Sequence, residues 1–243
     1  MPDERRPVSA VIADLDNVPV FAIVTNGKLY STDESGCMIY TQLADASRVL
    51  AQLQAAYPAE TLELEPLSLG AVLSESGLLV KRDAPPKITI VASPDAKRRA
   101  RELRANAESS GVHEVVPSAV PKRWRPLAAV PIFHIGALAG RGFAAAAVAN
   151  DGTADATAAD DGVDAELIWP LFFQLSDIDE LWAELGDKGT ERPPTRAINL
   201  AALVAILREP GSAPGKPLVC APLDALEYVA EKDRNTLEAL GRE

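Results

Sequence analysis

Val130-Pro131-Ile132-Phe133 repeats an earlier stretch of the chain, Val18-Pro19-Val20-Phe21, at an offset of 112 residues. Three further matches follow in the same order along the chain. They pair Gln42-Leu43 with Gln174-Leu175, Leu69-Gly70-Ala71 with Leu200-Ala201-Ala202, and Ser93-Pro94 with Ala221-Pro222, at offsets of 132, 131 and 128. Because insertions in loops change such offsets by a few residues without changing their order, the pattern predicts an internal duplication.

Around these matches, the residue patterns predict the same succession of elements twice. In the first copy, β-branched and aromatic residues from Val18 to Thr25 indicate a strand, and Asn26-Gly27 indicates a tight hairpin turn that needs positive φ at both positions. Apolar residues at helical spacing from Ala44 to Tyr57 indicate a helix, which Pro58 ends. The sequence thus predicts an α/β (α+β) fold in which two βββαβαβα units pack about a pseudo-twofold axis as one compact body.

The connecting segments set the boundaries that we expect. The first repeat unit spans residues 14–111 and the second spans residues 126–240, with a loose N-terminal lead-in at 1–13 and a connector at 112–125. Residues 150–164 are rich in Ala, Asp, Gly and Thr and contain one large apolar side chain, Val163. Because such a segment can bury little apolar surface, we expect it to be a flexible acidic insertion.

Bulk composition limits the classes of function. The chain has 243 residues, is 47% hydrophobic and has a formal net charge of −11. A net-acidic chain is a poor general binder of nucleic acid, because neutralisation of phosphates supplies most of that affinity. No apolar run approaches the roughly 20 residues that cross a bilayer. We also expect no secretory or transit signal in the first residues, which combine acids with bases and lack an apolar stretch.

The residue types that usually carry chemistry are sparse and unfavourably spaced. His113 and His134 are the two histidines, and no Cys-x-x-Cys or His-x-x-x-His spacing occurs to bind zinc. We expect Cys37 and Cys220 to be unpaired core residues. The glycine-rich stretch 136–142 lacks the Lys-Ser/Thr of a phosphate loop and precedes a strand, so we interpret it as a hairpin turn. We therefore expect no catalytic residues, no metal site and no cofactor.

Two features have both a structural and a functional interpretation. The helix predicted at 95–109 combines a narrow apolar stripe with a basic face, which is either a solvated surface or a contact for anionic headgroups or an acidic partner. The apolar run from Leu167 to Phe173 is either a strand buried on both faces or part of an open groove for apolar segments of another chain. The basic face consists of Lys97, Arg98, Arg99, Arg101 and Arg104.

Several motifs, taken together, carry a resemblance to a known family. They are Leu15-Asp16-Asn17-Val18-Pro19-Val20-Phe21 with Val24-Thr25-Asn26, the echo at Val130–Phe133, Pro170-Leu171-Phe172-Phe173 with Ser176-Asp177 and Asp179-Glu180-Leu181, and Pro222 with Leu226-Glu227-Tyr228. This combination resembles the Tic-twenty-two family, the soluble components of the translocon at the inner chloroplast envelope, which has cyanobacterial relatives. The resemblance extends from roughly Leu15 to Glu231, and it implies a two-halved α/β body with apolar pockets related by a pseudo-twofold axis.

The resemblance also implies a function. It implies a chaperone-like, non-enzymatic component of protein import that binds preprotein segments in the plastid intermembrane space, peripheral to the inner envelope. Its partners would be preproteins or other translocon subunits. The alternative is a structural or assembly subunit that docks on a membrane complex through the basic helix, with peripheral membrane contact. The residues that we expect to form an apolar peptide-binding groove are Val18, Phe21, Val130, Phe133, Trp169, Leu171, Phe172 and Phe173.

Overall fold

Two β-sheets organise the part of the chain that the computed structural model describes. Described are residues 5–32, 36–79, 87–109, 121–135, 138–139, 167–185, 194–209 and 215–240. The strands of the first sheet are β1 (Pro19–Thr25), β2 (Lys28–Leu29), β3 (Ser31–Thr32), β4 (Gly36–Tyr40), β5 (Leu62–Ser68) and β6 (Ile88–Val91). Those of the second sheet are β7 (Pro131–His134), β8 (Leu138–Ala139), β9 (Leu167–Phe172), β10 (Arg196–Asn199) and β11 (Lys216–Cys220).

Helices cover both sheets. The described α-helices are α1 (Val8–Leu15), α2 (Leu43–Ala56), α3 (Leu69–Glu75), α4 (Pro94–Ser109), α5 (Leu175–Leu185), α6 (Leu200–Arg208) and α7 (Leu223–Leu240), and a 3₁₀ helix spans Lys122–Ala129. Equivalent residues cap α3 and α6. The Ser68 hydroxyl accepts a hydrogen bond from the Ala71 amide at 3.1 Å, and the Asn199 side chain accepts one from the Ala202 amide at 2.9 Å. Each bond satisfies an amide that the first helical turn leaves without a partner.

The two sheets share the pairing of four strands, and the first sheet has β2 beside β1 in addition. In the first sheet, β1 pairs antiparallel with β5 and with β4, and β4 pairs parallel with β6. In the second sheet, β7 pairs antiparallel with β10 and with β9, and β9 pairs parallel with β11. The small strands β3 and β8 pair antiparallel with β4 and β9, respectively. The mixed α/β fold class predicted from the sequence is therefore confirmed.

The strand registers reproduce most of the sequence offsets. Phe21 faces Tyr40 and Pro66 in the first sheet, and Phe133, 112 residues later, faces Phe172 and Ala197 in the second. These pairs correspond to the offsets of 132 and 131 read from the sequence. The last strands differ by one residue: Val91 faces Tyr40, whereas Cys220 faces Phe172, at an offset of 129 instead of 128. This agreement is what a duplication would produce, and the duplication and its pseudo-twofold axis stay predictions.

The apolar core of the described residues consists of three clusters. A central cluster lies between the sheets and takes alternate residues of both, including Val20 and Ile39 from the first and Ile132 and Leu171 from the second. The first outer cluster contains Phe21, Ile23, Tyr40, Leu62 and Leu64 with residues of α2 and α7. The second outer cluster contains Phe133, Phe172 and Ala197 with residues of α4 and α5. Both faces of each sheet are therefore covered, which explains why apolar residues follow one another along the strands almost without interruption.

The last helix of each half packs against the sheet of the other half. Ala96 and Ala100 of α4 lie in the second outer cluster beside Phe133. In return, Ala225 of α7 is buried in the first outer cluster, and Tyr228 meets Phe21 edge to face with ring centroids 5.7 Å apart. Because each outer cluster needs a helix from the other half, the two halves form one body, as the sequence led us to expect.

The loose lead-in expected at 1–13 is wrong from Val8 onward. Residues from Val8 onward form α1, in which Val11 and Leu15 are fully buried in the central cluster. Val8, Val11 and Leu15 recur at helical spacing, which gives the segment an apolar stripe of its own. Arg6, just before α1, forms an ion pair with Asp14, and its amide donates to the Arg208 carbonyl at 2.9 Å.

Of the connector expected at 112–125, only residues 121–125 are described, and the connector stays a prediction. The 3₁₀ helix begins at Lys122, and it buries Trp124 and Leu127 in the central cluster. The Asn26-Gly27 turn is confirmed, with φ values of 50° and 72° and β2 returning along β1. The acidic insertion predicted at 150–164 and most of the glycine-rich stretch 136–142 lie outside the described residues.

Candidate functional site

The residues expected to form an open apolar groove lie in the core. All eight are at most 4% exposed. They are also divided among the three clusters, since Phe21 lies in one outer cluster, Phe133 and Phe172 in the other, and the remaining five in the central cluster. Of the two interpretations of the run from Leu167 to Phe173, core burial is therefore the correct one for Trp169–Phe173. The physical reason is that β9 lies between β7 and β11 and is covered on both faces.

The basic face of α4 exists, but acids on the same helix neutralise part of it. Arg98 forms ion pairs with Asp95 and with Glu102, the latter at 3.3 Å, and Arg99 pairs with Glu102 at 3.2 Å. Arg104 is half-buried and donates from Nε to the Ala197 carbonyl at 3.3 Å, so it serves the contact with the second sheet. Arg98, Arg99 and Arg101 remain exposed. Contact of this face with an anionic partner stays a prediction.

The structure places exposed apolar side chains at the start of α7. Leu223 is 52% exposed and Leu226 is 38% exposed, and they are among the four large apolar side chains that stand out from the described surface. They are exposed because α7 buries its opposite side, with Ala225 and Tyr228 against the first sheet. Helical spacing brings Leu223 and Leu226 together as neighbours on the outer side of α7.

An acidic cleft of about 220 Å³ lies on one side of these leucines. Its walls are the start of α5 and the start of α7. Among the seven described residues that line it, four are carboxylates and none is Lys or Arg. They are Gln174, Ser176, Asp177, Glu180, Leu223, Asp224 and Glu227. The amide of Gln174 donates to Asp224 at 2.9 Å, and the Ser176 hydroxyl donates to Asp177 at 3.3 Å. These bonds hold two of the four carboxylates in place.

Asp177 is a partly buried carboxylate of the acidic cleft. Its Oδ2 atom is buried and has no hydrogen-bond partner among the described residues. Burial raises the pKa of Asp177 to about 6; the Ser176 hydroxyl opposes the rise, and the charges of Asp224 and Glu180 add to it. A nearby cation would favour the charged form of this group and would offset the cost of its burial.

A second, larger cleft lies on the other side of the leucines and runs along the edge of β5. This edge cleft has a volume of about 460 Å³ and is lined by Asp16, Asn17, Pro19, Glu65, Pro66, Leu67, Ser68, Leu226, Val229, Lys232 and Asp233. Lys232 is the one basic residue among the described residues of this lining, and its ammonium group pairs with Glu65 and donates to the Leu64 carbonyl at 3.0 Å. The edge cleft is therefore also net acidic.

The outer edge of β5 has little capacity to accept an added strand. The Leu62 carbonyl accepts a hydrogen bond from the Gln54 side chain at 3.1 Å. The Leu64 carbonyl accepts one from the Tyr228 hydroxyl at 3.2 Å in addition to that from Lys232. Pro66 has no amide hydrogen to donate. A ligand in the edge cleft would therefore meet side chains more than free backbone groups.

The described residues show no arrangement that suggests catalysis. Within them, no three His, Cys, Asp or Glu side chains come together to hold a metal ion, and no helix is long and apolar enough to cross a membrane. Burial, aided by the charge of Arg196, lowers the pKa of His134 to about 4, and burial raises the pKa of the Cys220 thiol to about 12. Both groups are therefore neutral at physiological pH. The expectation that this chain is not an enzyme stays a prediction.

Sequence reasoning did not single out the α7 surface, because Leu223 and Leu226 fit the apolar pattern of a helix that buries them. The spacing of acidic residues at the starts of two helices was a signal that could have indicated this surface. Asp177 and Glu180 begin one helix, and Asp224 and Glu227 begin another, in each case three residues apart. Carboxylates at a helix start are ordinarily explained by the helix dipole, so only the packing of α5 beside α7 reveals a shared cleft.

Solved structures that share the fold described above include two Tic22 proteins. Tic22 (Tic-twenty-two) from Plasmodium falciparum aligns with a TM-score of 0.60 and 15% sequence identity, over 95% of this chain and 99% of that chain. Anabaena Tic22, described as protein transport, aligns with a TM-score of 0.53 and 13% identity, over 93% of this chain and 97% of that chain. No family model and no curated protein matches the sequence. The resemblance to the Tic-twenty-two family is therefore confirmed at the level of the fold.

Proposed function

We propose that this chain is a Tic22-like protein-transport component that binds preprotein segments between plastid envelope membranes, in a chaperone-like way and without enzymatic activity. The observation that carries the proposal is the fold shared with two Tic22 structures over more than nine-tenths of every chain compared. One of those structures, from Anabaena, is described as protein transport. A plastid-related or cyanobacterial setting follows from the same likeness.

The charge of the chain is suitable for this function. Preprotein targeting segments are cationic and partly apolar, and the chain has a formal net charge of −11. Opposite net charges raise the rate at which two molecules meet, and a cleft with a single sign of charge strengthens the local potential. The described surface also supplies exposed leucines beside carboxylates. Together these features support reversible binding of an extended, basic segment.

We expect a fluorescently labelled transit peptide to bind this protein saturably, with a Kd in the micromolar range. The affinity should fall as the salt concentration rises from about 0.05 M to about 0.5 M, because the screening length falls to a few ångströms. Fluorescence anisotropy measures both effects. The matched control is the same peptide with every Lys and Arg replaced by Gln. Absence of saturation up to high micromolar protein, or equal binding of the uncharged peptide, would contradict the proposal.

The alternative, a subunit that docks on a membrane complex through α4, requires the basic face of α4 to bind an anionic surface. We expect instead little cosedimentation with vesicles that contain anionic phospholipid, because Asp95 and Glu102 already pair with Arg98 and Arg99. Exposed ion pairs are individually weak, so this neutralisation reduces the basic field without abolishing it.

Charge reversal decides between the two functions. The test is the triple variant Arg98→Glu, Arg99→Glu and Arg101→Glu, whose control reverses the equally exposed Lys122, Arg123 and Arg125 on the 3₁₀ helix. We expect the vesicle-bound fraction to be small and the same for all three proteins. Strong binding of the unmodified protein that only the α4 variant loses would favour the docking subunit.

A further inference from the structure

We infer that the outer face of α7, with the acidic cleft on one side and the edge cleft on the other, binds a cationic amphipathic segment. A basic side chain of the segment enters the acidic cleft, and an aliphatic side chain packs against Leu223 and Leu226. The inference rests on the proposed function for the source of this segment, a preprotein. The surface and the chemistry of its ligand follow from the described residues alone.

Charge complementarity identifies the polar half of the ligand. Four carboxylates line the acidic cleft without a basic residue among the lining side chains. One oxygen of Asp177 is buried without a hydrogen-bond partner among the described residues, and Asp224 is held by Gln174. An ammonium or guanidinium group would lower the mutual repulsion of these carboxylates, and a guanidinium could bind two oxygens at once. An anionic ligand would add to the repulsion among these carboxylates, and a purely apolar ligand would bury them without a counter-charge.

The leucines identify the apolar half of the ligand. Leu223 lines the acidic cleft and Leu226 lines the edge cleft, so the exposed apolar surface connects the two. In the edge cleft, Leu226 is joined by Val229 on the same helix and by Leu67 on the facing strand. An aliphatic side chain that covers Leu223 and Leu226 would remove apolar surface from water, which is favourable in proportion to the area covered.

The length of the surface sets the length of the segment. The clefts are lined by α7 from Leu223 to Asp233, which at 1.5 Å per residue is about 15 Å. A segment of about five residues spans that distance when extended, and one of about ten residues spans it as a helix. Because the edge of β5 is largely closed to strand addition, side chains supply the contacts, and the order of basic and aliphatic residues determines the affinity.

A second copy of this chain is a poorer occupant. The basic α4 face of such a copy has an apolar stripe, Ala96 and Ala100, that is already buried against the second sheet. That face therefore has no aliphatic side chains to place on Leu223 and Leu226. Two copies with a formal net charge of −11 each also repel one another.

The test compares two variants of α7 with matched controls. The probe is a fluorescein-labelled peptide of Arg, Leu and Ser with net positive charge. Asp224→Asn/Glu227→Gln is expected to raise its Kd about tenfold and to flatten the salt dependence, because two charges leave the cleft. Leu223→Ser/Leu226→Ser is expected to raise the Kd by a similar factor and to leave the salt dependence unchanged. Circular dichroism checks that each variant is folded.

The controls remove the same groups elsewhere on the surface. Glu60→Gln/Glu63→Gln removes two exposed carboxylates outside both clefts, and Tyr57→Ser removes another exposed large side chain. Binding that only the α7 variants weaken supports the inference. If the unmodified protein binds and all variants bind equally, the α7 surface is the wrong one and the proposed function stands. If the unmodified protein binds no basic peptide, both are overturned. If the α7 variants change the sedimentation of the protein alone, a second copy is the occupant and the inference fails.

Discussion

Replacing Phe21 by Ala is expected to lower the free energy of unfolding of the whole protein by about 3–5 kcal/mol, which is typical of a large aromatic residue lost from a core. Phe21 is fully buried in the first outer cluster. Its ring meets Tyr228 of α7 edge to face at 5.7 Å, so the substitution leaves a cavity and also weakens the contact between the halves. Destabilisation should therefore reach the second sheet, although Phe21 belongs to the first.

The tryptophans make this effect measurable. The chain has three, Trp124, Trp169 and Trp182, and all lie in the later half of the sequence. We expect denaturant unfolding followed by tryptophan fluorescence to coincide with unfolding followed by far-ultraviolet circular dichroism, as a single cooperative transition does. In Phe21→Ala, both curves should shift together to lower denaturant concentration.

Two further variants control this result. Phe133→Ala removes the corresponding ring of the second sheet, which is also fully buried, and it should shift both curves by a similar amount. Tyr57→Ser, at a position 48% exposed, should change the free energy of unfolding by no more than about 0.5 kcal/mol. If Phe21→Ala shifted the circular dichroism curve and left the tryptophan curve in place, the halves would be independent domains.

The offsets of the sequence matches agree with the strand registers because the matches lie at structurally constrained positions. Phe21 and Phe133 pair with residues at the predicted offsets in four strands. A one-residue slip would turn every apolar side chain of a strand to the wrong face, so register and pattern stay coupled. The sequence offset and the offset of the last strands differ by one residue only at the match of Ser93-Pro94 with Ala221-Pro222. This match lies just after the last strand of each sheet, where the chain turns into α4 or α7.

The packing of α4 on the second sheet and of α7 on the first was not predictable from local patterns. The apolar stripe of α4 predicts that Ala96 and Ala100 are buried, but not which sheet covers them. The same limit explains the wrong prediction of an open groove. An apolar run such as Leu167 to Phe173 indicates that its side chains avoid water, and only the positions of β7, β11 and the helices show that its own chain covers it. Leu223 and Leu226 present the converse case, since they have the pattern of buried residues and are exposed.

Replacing Gly70 by Ala is expected to destabilise the protein by about 1–3 kcal/mol, the usual cost of inserting a group into a filled space. In an open helix, the same change would stabilise by about 1 kcal/mol, because Ala is the better helix former. The sign reverses because a Cβ at Gly70 of α3 would overlap the Ile12 carbonyl oxygen and the Asp16 carboxylate. The corresponding residue of the second half, Ala201, already carries this methyl group and is fully buried.

The double variant Asp16→Ala/Gly70→Ala separates the two overlaps. Removal of the Asp16 carboxylate clears one of them at the cost of the hydrogen bond from the Ser68 hydroxyl, whose oxygen lies 2.8 Å from Oδ1. The Ile12 carbonyl belongs to the backbone of α1 and cannot rotate away, so we expect only partial rescue. Gly27→Ala is the control, because Gly27 has a φ of +72° and no neighbour within 4 Å of an added Cβ, and it should lose only the roughly 1 kcal/mol of that conformation. Chemical denaturation measures all four proteins. A Gly70→Ala variant as stable as the unmodified protein would mean that α1 does not pack against α3, and that the first residues form the loose segment that their position in the chain suggested.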